Sequence, residues 1–223
     1  FRTQKYNLSK QNQMPISHRE NIENLLHLGV WEITETELEL RKGLALSSKA
    51  LTRLSQRKSE VHRKGYLAIR QLLKFFEIEP QIHQYDLQGA PYLTDGRHLS
   101  ITHTKNVAAI ALSSSPVGVD LEHYQEKIKK IAPRFLHEKE TVEGAKQFDI
   151  QYLTQIWTAK EALYKAHRIS GIHFNKQLLI EPFEATSKEG KGRIFHNEKT
   201  WEYELDFRYF HDYCLTVARP KIK

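Results

Sequence analysis

The chain has 223 residues, 39% of them hydrophobic and 27% charged, which is the composition of a soluble globular protein with room for one large domain or two small ones. No run of about 18 apolar residues occurs, the first residues lack an apolar signal segment, and the single cysteine, Cys214, rules out an internal disulfide; together these features predict a cytoplasmic protein outside the membrane. The net charge of +7 favours an anionic partner, which could be nucleic acid, a nucleotide or an acidic protein.

The first predicted elements are a short strand and a broken helix. The strand is V-W-E-I at residues 30–33. The T-E-T-E run after it predicts a helix start with Thr34 as N-cap and Glu37 three positions later. Residues 36–55 then predict helix with an interruption near Gly43.

The clearest helical pattern spans residues 59–76. Its apolar residues share one broad face, and Arg63, Arg70 and Lys74 form a stripe opposite, with Lys64 nearby. Such a stripe is either the solvated side of the helix or a basic wall for phosphate groups, which Arg and Lys bind well.

A turn and two strands follow. G-A-P-Y-L, with Pro91 at its centre, predicts a turn leading into a short strand. L-S-I-T-H-T, which contains Thr102 and His103, predicts a strand, and the apolar run at 107–112 predicts a buried one. The S-S-S-P turn at 113–116 predicts a domain boundary, with one domain at residues 1–113 and a second at 114–223.

The V-G-V-D-L-E sequence at residues 117–122 is the first candidate for chemistry. Alternate side chains of a strand point to opposite faces, so the apolar residues can enter a core while Asp120 and Glu122 project together from the other face. The pair is either a solvated edge or a site for a hard cation such as Mg²⁺, which takes carboxylate ligands.

The next stretch is basic. Residues 123–133 predict an irregular segment with lysines at 127, 129 and 130, and residues 137–148 predict a helix that begins close to Glu140. His137-Glu138 does not begin the H-E-x-x-H zinc motif, because Thr141 stands where its second histidine should be.

I-W-T-A-K-E-A-L-Y-K-A at residues 156–166 predicts a helix. Glu161 and Lys165 are four residues apart and therefore neighbours on one face, beside Lys160 in sequence. Four later strands, at 178–180, 192–195, 201–209 and 213–218, predict a second sheet.

The G-V-D-L-E strand followed by the W-T-A-K-E-A-L-Y-K helix resembles the 4′-phosphopantetheinyl transferases, in the larger two-lobed, surfactin-synthetase-activating form. T-H-T resembles the family's S-H-S strand, R-F-L…E its R-F-F-x-x-x-E segment, and G-A-P its G-K-P turn, although Ala90 replaces the lysine. The resemblance implies an α+β fold of two similar lobes that form a pseudo-dimer.

The resemblance also implies roles for particular residues. Asp120, Glu122 and Glu161 would bind the metal, and Lys165 would stabilise developing charge. Glu140 is the implied general base, with a metal-bound water relayed by a carboxylate as the competing choice. The residues implied to contact coenzyme A are Arg63, Lys64, Arg70, Pro91, Thr102, His103, Lys160 and Lys165.

The implied function is transfer of 4′-phosphopantetheine from coenzyme A to a serine of an acidic acyl or peptidyl carrier protein. Mg²⁺, or else Mn²⁺, would be required, and the expected state is a monomer that binds neither nucleic acid nor membrane. Two other interpretations stay open: a degenerate coenzyme A-binding protein without activity, and a basic nucleic-acid-binding domain.

Overall fold

The computed structural model describes residues 16–22, 26–140, 149–184 and 186–221. The chain divides between Ser114 and Ser115 into two compact units, and each combines an antiparallel sheet with one long helix. The predicted α+β class is confirmed. Within the described ranges, no helix has the length and apolar character needed to cross a membrane.

The N-terminal unit contains a four-stranded antiparallel sheet. In spatial order its strands are β1 (Ile16–Ile22), β2 (Leu26–Glu32), β6 (Val107–Ser113) and β5 (His98–Thr104). Every residue of β6 is buried, as its continuous apolar sequence predicts for a central strand.

The helices of this unit are α1 (Glu37–Arg41), α2 (Ser48–Ser55) and α3 (Glu60–Phe75). The prediction that Thr34 caps the first helix is wrong, because the N-cap is Thr36, two residues later. Thr36 Oγ1 accepts a hydrogen bond from the Glu39 backbone N–H (3.3 Å), and the Glu39 carboxylate accepts one from the Thr36 backbone N–H (2.8 Å). The T-E-T-E repeat permits both frames, and the observed one buries Leu40, which is 1% exposed.

The long helix α3 lies where residues 59–76 predict it. Ser59 is its N-cap, and its hydroxyl accepts a hydrogen bond from the His62 backbone N–H at 3.2 Å. Leu67, Ala68 and Leu72 are fully buried against the sheet. A two-stranded hairpin, β3 (His83–Tyr85) with β4 (Pro91–Leu93), follows the helix.

The C-terminal unit contains a five-stranded antiparallel sheet. In spatial order its strands are β7 (Gly118–His123), β11 (Tyr213–Pro220), β10 (Lys199–Tyr209), β9 (Glu189–His196) and β8 (Leu178–Ile180). All four later strands that the sequence predicts are confirmed, and β9, β10 and β11 are each longer than their apolar patterns.

The helices of this unit are α4 (Lys127–Phe135), α5 (Ile150–His167) and the short α6 (Phe174–Gln177), with a 3₁₀ turn at Glu138–Glu140. The predicted irregular segment at 123–133 is wrong over most of its length, because α4 occupies it. Its buried residues Ile128, Ala132 and Phe135 recur at helical spacing, a pattern that the many lysines obscure. Of the helix predicted at 137–148, residues 141–148 lie outside the described residues.

Helix α5 is the centre of the C-terminal unit. Buried residues occur around most of its circumference, including Ile156, Ala159, Ala162 and Leu163, none of which is more than 1% exposed. It packs against β7 and β11 of the sheet and against α4. Residues on this helix are therefore held on several sides at once.

Candidate functional site

The contact between β7 and α5 brings the candidate carboxylates together. Gly118 begins β7, and a Cβ atom built there would lie 1.9 Å from the carbonyl oxygen of Ala162 and 2.7 Å from the backbone nitrogen of Ala166. The strand and the helix backbone are therefore in direct contact at this glycine. Because residues two apart on a strand share a face, Asp120 and Glu122 also point toward α5.

The other face of β7 is apolar, as its alternating sequence predicts. Val119 and Leu121 are at most 1% exposed. On the helix side, Asp120 is 5% exposed and Glu122 is half-buried. The Asp120 carboxylate thus lies under the helix instead of on a solvated edge.

Lys165 of α5 forms an ion pair with Asp120. Its ammonium group donates hydrogen bonds to Oδ1 of Asp120 (2.6 Å) and to the carbonyl oxygen of Val119 (3.2 Å). A charge-assisted hydrogen bond of this kind offsets part of the cost of burying the Asp120 carboxylate.

Glu161 lies one turn before Lys165 and shares this region. Burial, followed by repulsion from the charges of Asp120 and Glu122, raises the pKa of the Glu161 carboxyl to about 7, and Lys165 opposes this shift. Three carboxylates therefore affect one another at the β7–α5 contact. We call Asp120, Glu122, Glu161 and Lys165 the β7–α5 cluster.

The chemistry of the β7–α5 cluster fits a hard divalent cation. Carboxylate oxygens are the ligands that Mg²⁺ prefers, and a cation among three mutually repelling acids would relieve their repulsion. In the parts of the chain that the structure describes, no three His, Cys, Asp or Glu side chains are arranged so that they could hold a metal ion together. The Lys165 ammonium instead neutralises Asp120.

Glu140 and Lys160 form a separate buried pair. Their side chains are 2% and 0% exposed and their charged atoms lie 2.8 Å apart. The Lys160 ammonium also donates to the carbonyl oxygens of Phe135 (2.6 Å), Phe174 (3.2 Å) and Leu178 (2.8 Å). Burial lowers the pKa of Lys160 to about 8, although Glu140 opposes this effect.

Glu140, the acidic residue of this pair, also forms hydrogen bonds with the backbone. Glu140 accepts hydrogen bonds from the backbone N–H groups of His137 and Ile180, both at 2.7 Å. The pair thus joins the end of α4, the 3₁₀ turn, α5 and β8. These contacts favour a structural role, whereas the resemblance implies a general base at Glu140 and coenzyme A binding at Lys160.

Four of the six predicted coenzyme A residues of the N-terminal unit fall into two groups. Arg63, Lys64 and His103 lie around one turn of α3, because the His103 ring packs on Gly65: a Cβ atom built there would be 2.7 Å from its Nδ1. Arg63 also binds Glu37, with a distance of 2.8 Å between Nε and Oε2. Arg70 lies about two turns further along α3, toward the β3–β4 hairpin.

The other two candidates of this unit, like His103, lie in strands. Pro91 is the first residue of β4 and pairs with Tyr85. Thr102 is 7% exposed and pairs with Ala109 in the four-stranded sheet.

Three residues that sequence reasoning did not select help to build the sites. Gly118 and Gly65 permit the close contacts described above. Thr158, in the W-T-A-K-E sequence, forms a 2.8 Å hydrogen bond with Thr216 of β11. Thr216 is the residue that pairs with Asp120 of β7 in the sheet. The sequence offered one indication for the two glycines, namely that each lies next to or near a candidate site residue.

Comparison with known proteins agrees with this arrangement. Residues 116–218, which include the entire β7–α5 cluster, match the family described as the 4′-phosphopantetheinyl transferase superfamily. This region, slightly less than half of the chain, is therefore similar to the 4′-phosphopantetheinyl transferase superfamily. The segment contains both motifs on which the resemblance in the sequence depends.

Two relatives carry the superfamily name. The chain is 33% identical over 81 residues to the 4′-phosphopantetheinyl transferase gsp of Aneurinibacillus migulanus, a match that covers 35% of this chain and 34% of that protein. It is 32% identical over 140 residues to slr0495 of Synechocystis sp., whose name assigns the same activity provisionally; this match covers 54% of this chain and 56% of that protein. The chain therefore spans about a third of one relative and about half of the other.

Proposed function

We propose that this protein transfers the 4′-phosphopantetheine moiety of coenzyme A to a serine of an apo acyl or peptidyl carrier protein, in a reaction that requires Mg²⁺. The β7–α5 cluster carries the proposal, because it gathers three carboxylates and a lysine inside the segment matched by the transferase superfamily. The names of the two relatives support the same reaction class.

In this reaction the serine oxygen bonds to the β-phosphorus of coenzyme A. The bond from that phosphorus to the oxygen bridging the two phosphates breaks, and adenosine 3′,5′-bisphosphate leaves with the electron pair. The serine proton must pass to a base within hydrogen-bond reach. Catalysis of phosphoryl transfer depends mainly on positioning and on neutralising the accumulating negative charge.

The residues of the β7–α5 cluster divide these tasks. Asp120, Glu122 and Glu161 would hold Mg²⁺, which supplies positive charge to the diphosphate when bound. Lys165, whose ammonium lies beside Asp120, would neutralise charge on the leaving phosphate. Glu140 already accepts hydrogen bonds from two backbone N–H groups and Lys160, so we place it outside the chemistry.

In the N-terminal unit, Arg63, Lys64 and His103 would contact the phosphates of coenzyme A, since cationic and imidazole N–H groups donate well to phosphate oxygens. Gly65 would then act through His103, because a larger residue there would displace the ring.

The test of this proposal is intact-protein mass spectrometry of an apo acyl carrier protein incubated with this protein, coenzyme A and Mg²⁺. We expect the carrier to gain one phosphopantetheine unit. Removing Mg²⁺ with EDTA should prevent the gain, as should Asp120→Ala, which deletes a carboxylate of the cluster. Lys176→Ala, an exposed residue of α6, is the control and should leave the gain unchanged.

The two open alternatives predict different results in the same system. A degenerate binder would retain coenzyme A but modify no carrier. A nucleic-acid-binding domain would be retained on DNA in a salt-dependent manner even with EDTA present. Absence of both coenzyme A binding and carrier modification would reject the proposed function.

The exposed face of α4 fits an acidic carrier protein. Lys127, Lys129 and Lys130 are exposed on this helix, and Lys129 pairs with Glu126 at 3.3 Å. We expect the triple change of these lysines to glutamate to raise the KM for the carrier about tenfold, since exposed ion pairs contribute about 0.5 kcal/mol each. The KM for coenzyme A should stay nearly constant in steady-state assays.

A matched control separates docking from overall charge. Lys188, Lys191 and Lys199 are also exposed in the C-terminal unit but lie on or beside β9 and β10. Their replacement by glutamate makes the same change in net charge. If this control variant raises the carrier KM as much as the α4 variant does, α4 is not the docking surface.

A further inference from the structure

The N-terminal unit contains a cavity lined by none of the residues to which the proposed transfer reaction assigns a role. It has a volume of about 710 Å³, which is within the range of small-molecule sites, and it lies among α2, the C-terminal half of α3 and the segment leading into β3. Of the N-terminal residues implied to contact coenzyme A, Arg70 alone is among its described lining residues.

One wall of this cavity is cationic. Arg53 and Arg70 both line it, and each guanidinium lies over a tyrosine ring: Arg53 over Tyr85 (4.0 Å to the centroid) and Arg70 over Tyr66 (4.7 Å). Both arginines are half-buried. Within the described parts of the chain, neither has a carboxylate in ion-pair distance, whereas Arg63 and Arg97 do. Two partly desolvated guanidinium groups at one cavity favour an anion.

The surroundings of Arg70 hold this positive charge in place. Its guanidinium donates to the hydroxyl of Tyr66 (2.7 Å) and to Nδ1 of His83 (2.5 Å). Because arginine can only donate, Nδ1 of His83 must be the acceptor and the imidazole proton is on Nε2. His83 is 5% exposed, and burial, with the charges of Arg70 and Arg53, lowers its pKa to about 3.

Because His83 is neutral, it does not cancel the positive charge of Arg70. Its hydrogen bond holds the Arg70 guanidinium in a fixed orientation. Nε of Arg70 and Nε2 of His83 are both buried without a hydrogen-bond partner among the described residues. Donor capacity therefore exceeds acceptor capacity at this wall.

The rest of the cavity is mixed in character. Leu44, Leu46, Leu73, Ile78 and Pro80 form an apolar part of the lining, and the exposed residues Lys49, Lys74, Glu77 and Glu79 also line it. We propose that this cavity binds a small organic anion, with a carboxylate or phosphate group at Arg53 and Arg70 and an apolar body against the leucine and isoleucine side chains. The site is distinct from the turn of α3 that carries Arg63 and Lys64 and against which His103 of β5 packs.

The test is isothermal titration calorimetry of the full chain with two probes, octanoate and n-octyl phosphate, which share an apolar tail and differ in the anionic group. We expect at least one probe to bind with a Kd below about 1 mM, and the tighter probe identifies the head group. Arg53→Gln should weaken binding about tenfold because it removes one guanidinium. Arg97→Gln, the control, removes the same charge at an exposed arginine paired with Asp95 and should change the Kd by less than about twofold.

A second variant tests whether loss of binding can be separated from loss of the fold. Ala45→Trp adds a large side chain at an exposed lining position and should block both probes while the circular dichroism spectrum stays unchanged. The proposal is overturned if neither probe binds the wild-type chain with a Kd below about 1 mM, or if Arg53→Gln and Arg97→Gln weaken binding equally. Displacement of the probes by coenzyme A would also overturn it, because the cavity would then be part of the coenzyme A site.

Discussion

Replacing Lys160 with methionine is expected to lower the free energy of unfolding by about 3–5 kcal/mol, because it leaves the Glu140 carboxylate buried without its counter-charge. The side chains of this pair are 0% and 2% exposed, so water cannot replace the lost ammonium group. The carbonyl oxygens of Phe135, Phe174 and Leu178 also lose their donor. Urea denaturation measures the effect, and Lys176→Met, at an exposed lysine, is a control that should change stability by no more than about 0.5 kcal/mol.

The double variant Lys160→Met/Glu140→Gln tests whether the charge pair itself is responsible. Removing both charges should give a protein more stable than Lys160→Met alone, because no uncompensated charge remains. A double variant destabilised by the sum of the two single changes would contradict this explanation. Glu140→Gln also tests the general-base role: if the base is Glu140, the folded variant assayed well below its unfolding midpoint should lose kcat, while a structural role should show mainly as lower stability.

Gly118→Ala is expected to destabilise the protein by about 1–3 kcal/mol or more and to separate β7 from α5, because the new methyl group would overlap the helix backbone. The Cβ position is 1.9 Å from the carbonyl oxygen of Ala162, and a backbone atom in a buried helix cannot rotate away. The Lys165–Asp120 contact, 2.6 Å in the native protein, should lengthen with this separation. Denaturation and a crystal structure of the variant measure the two effects.

Gly192→Ala is the matched control for this change. A Cβ atom there would lie 2.7 Å from Cδ1 of Leu163, also on α5, but the obstacle is the end of a side chain that can change rotamer. We expect a clearly smaller loss of stability and an unchanged Lys165–Asp120 distance. Equal losses for the two variants would show that the backbone contact at Gly118 does not set the spacing of the β7–α5 cluster.

Local patterns in the sequence were sufficient to predict many of the helices and strands. The period of residues 59–76 predicted α3 and its Ser59 start, and the alternation in V-G-V-D-L-E predicted which residues of β7 are buried on its apolar face. These predictions succeeded because side-chain period depends on a few neighbouring residues. The same local reasoning failed at α4, where lysines obscured the helical spacing of Ile128, Ala132 and Phe135.

The sequence by itself determined the α+β class, the transferase resemblance and the residues that carry charge in its motifs. Only the tertiary structure decided which of those residues meet. Lys165 reaches Asp120 across 45 positions of the chain, and Glu140 receives the Ile180 N–H across 40. Lys160 and Glu161 are adjacent in sequence but lie about 100° apart around the helix axis. One therefore enters a buried ion pair and the other the β7–α5 cluster, because the elements packed on each side of α5 differ.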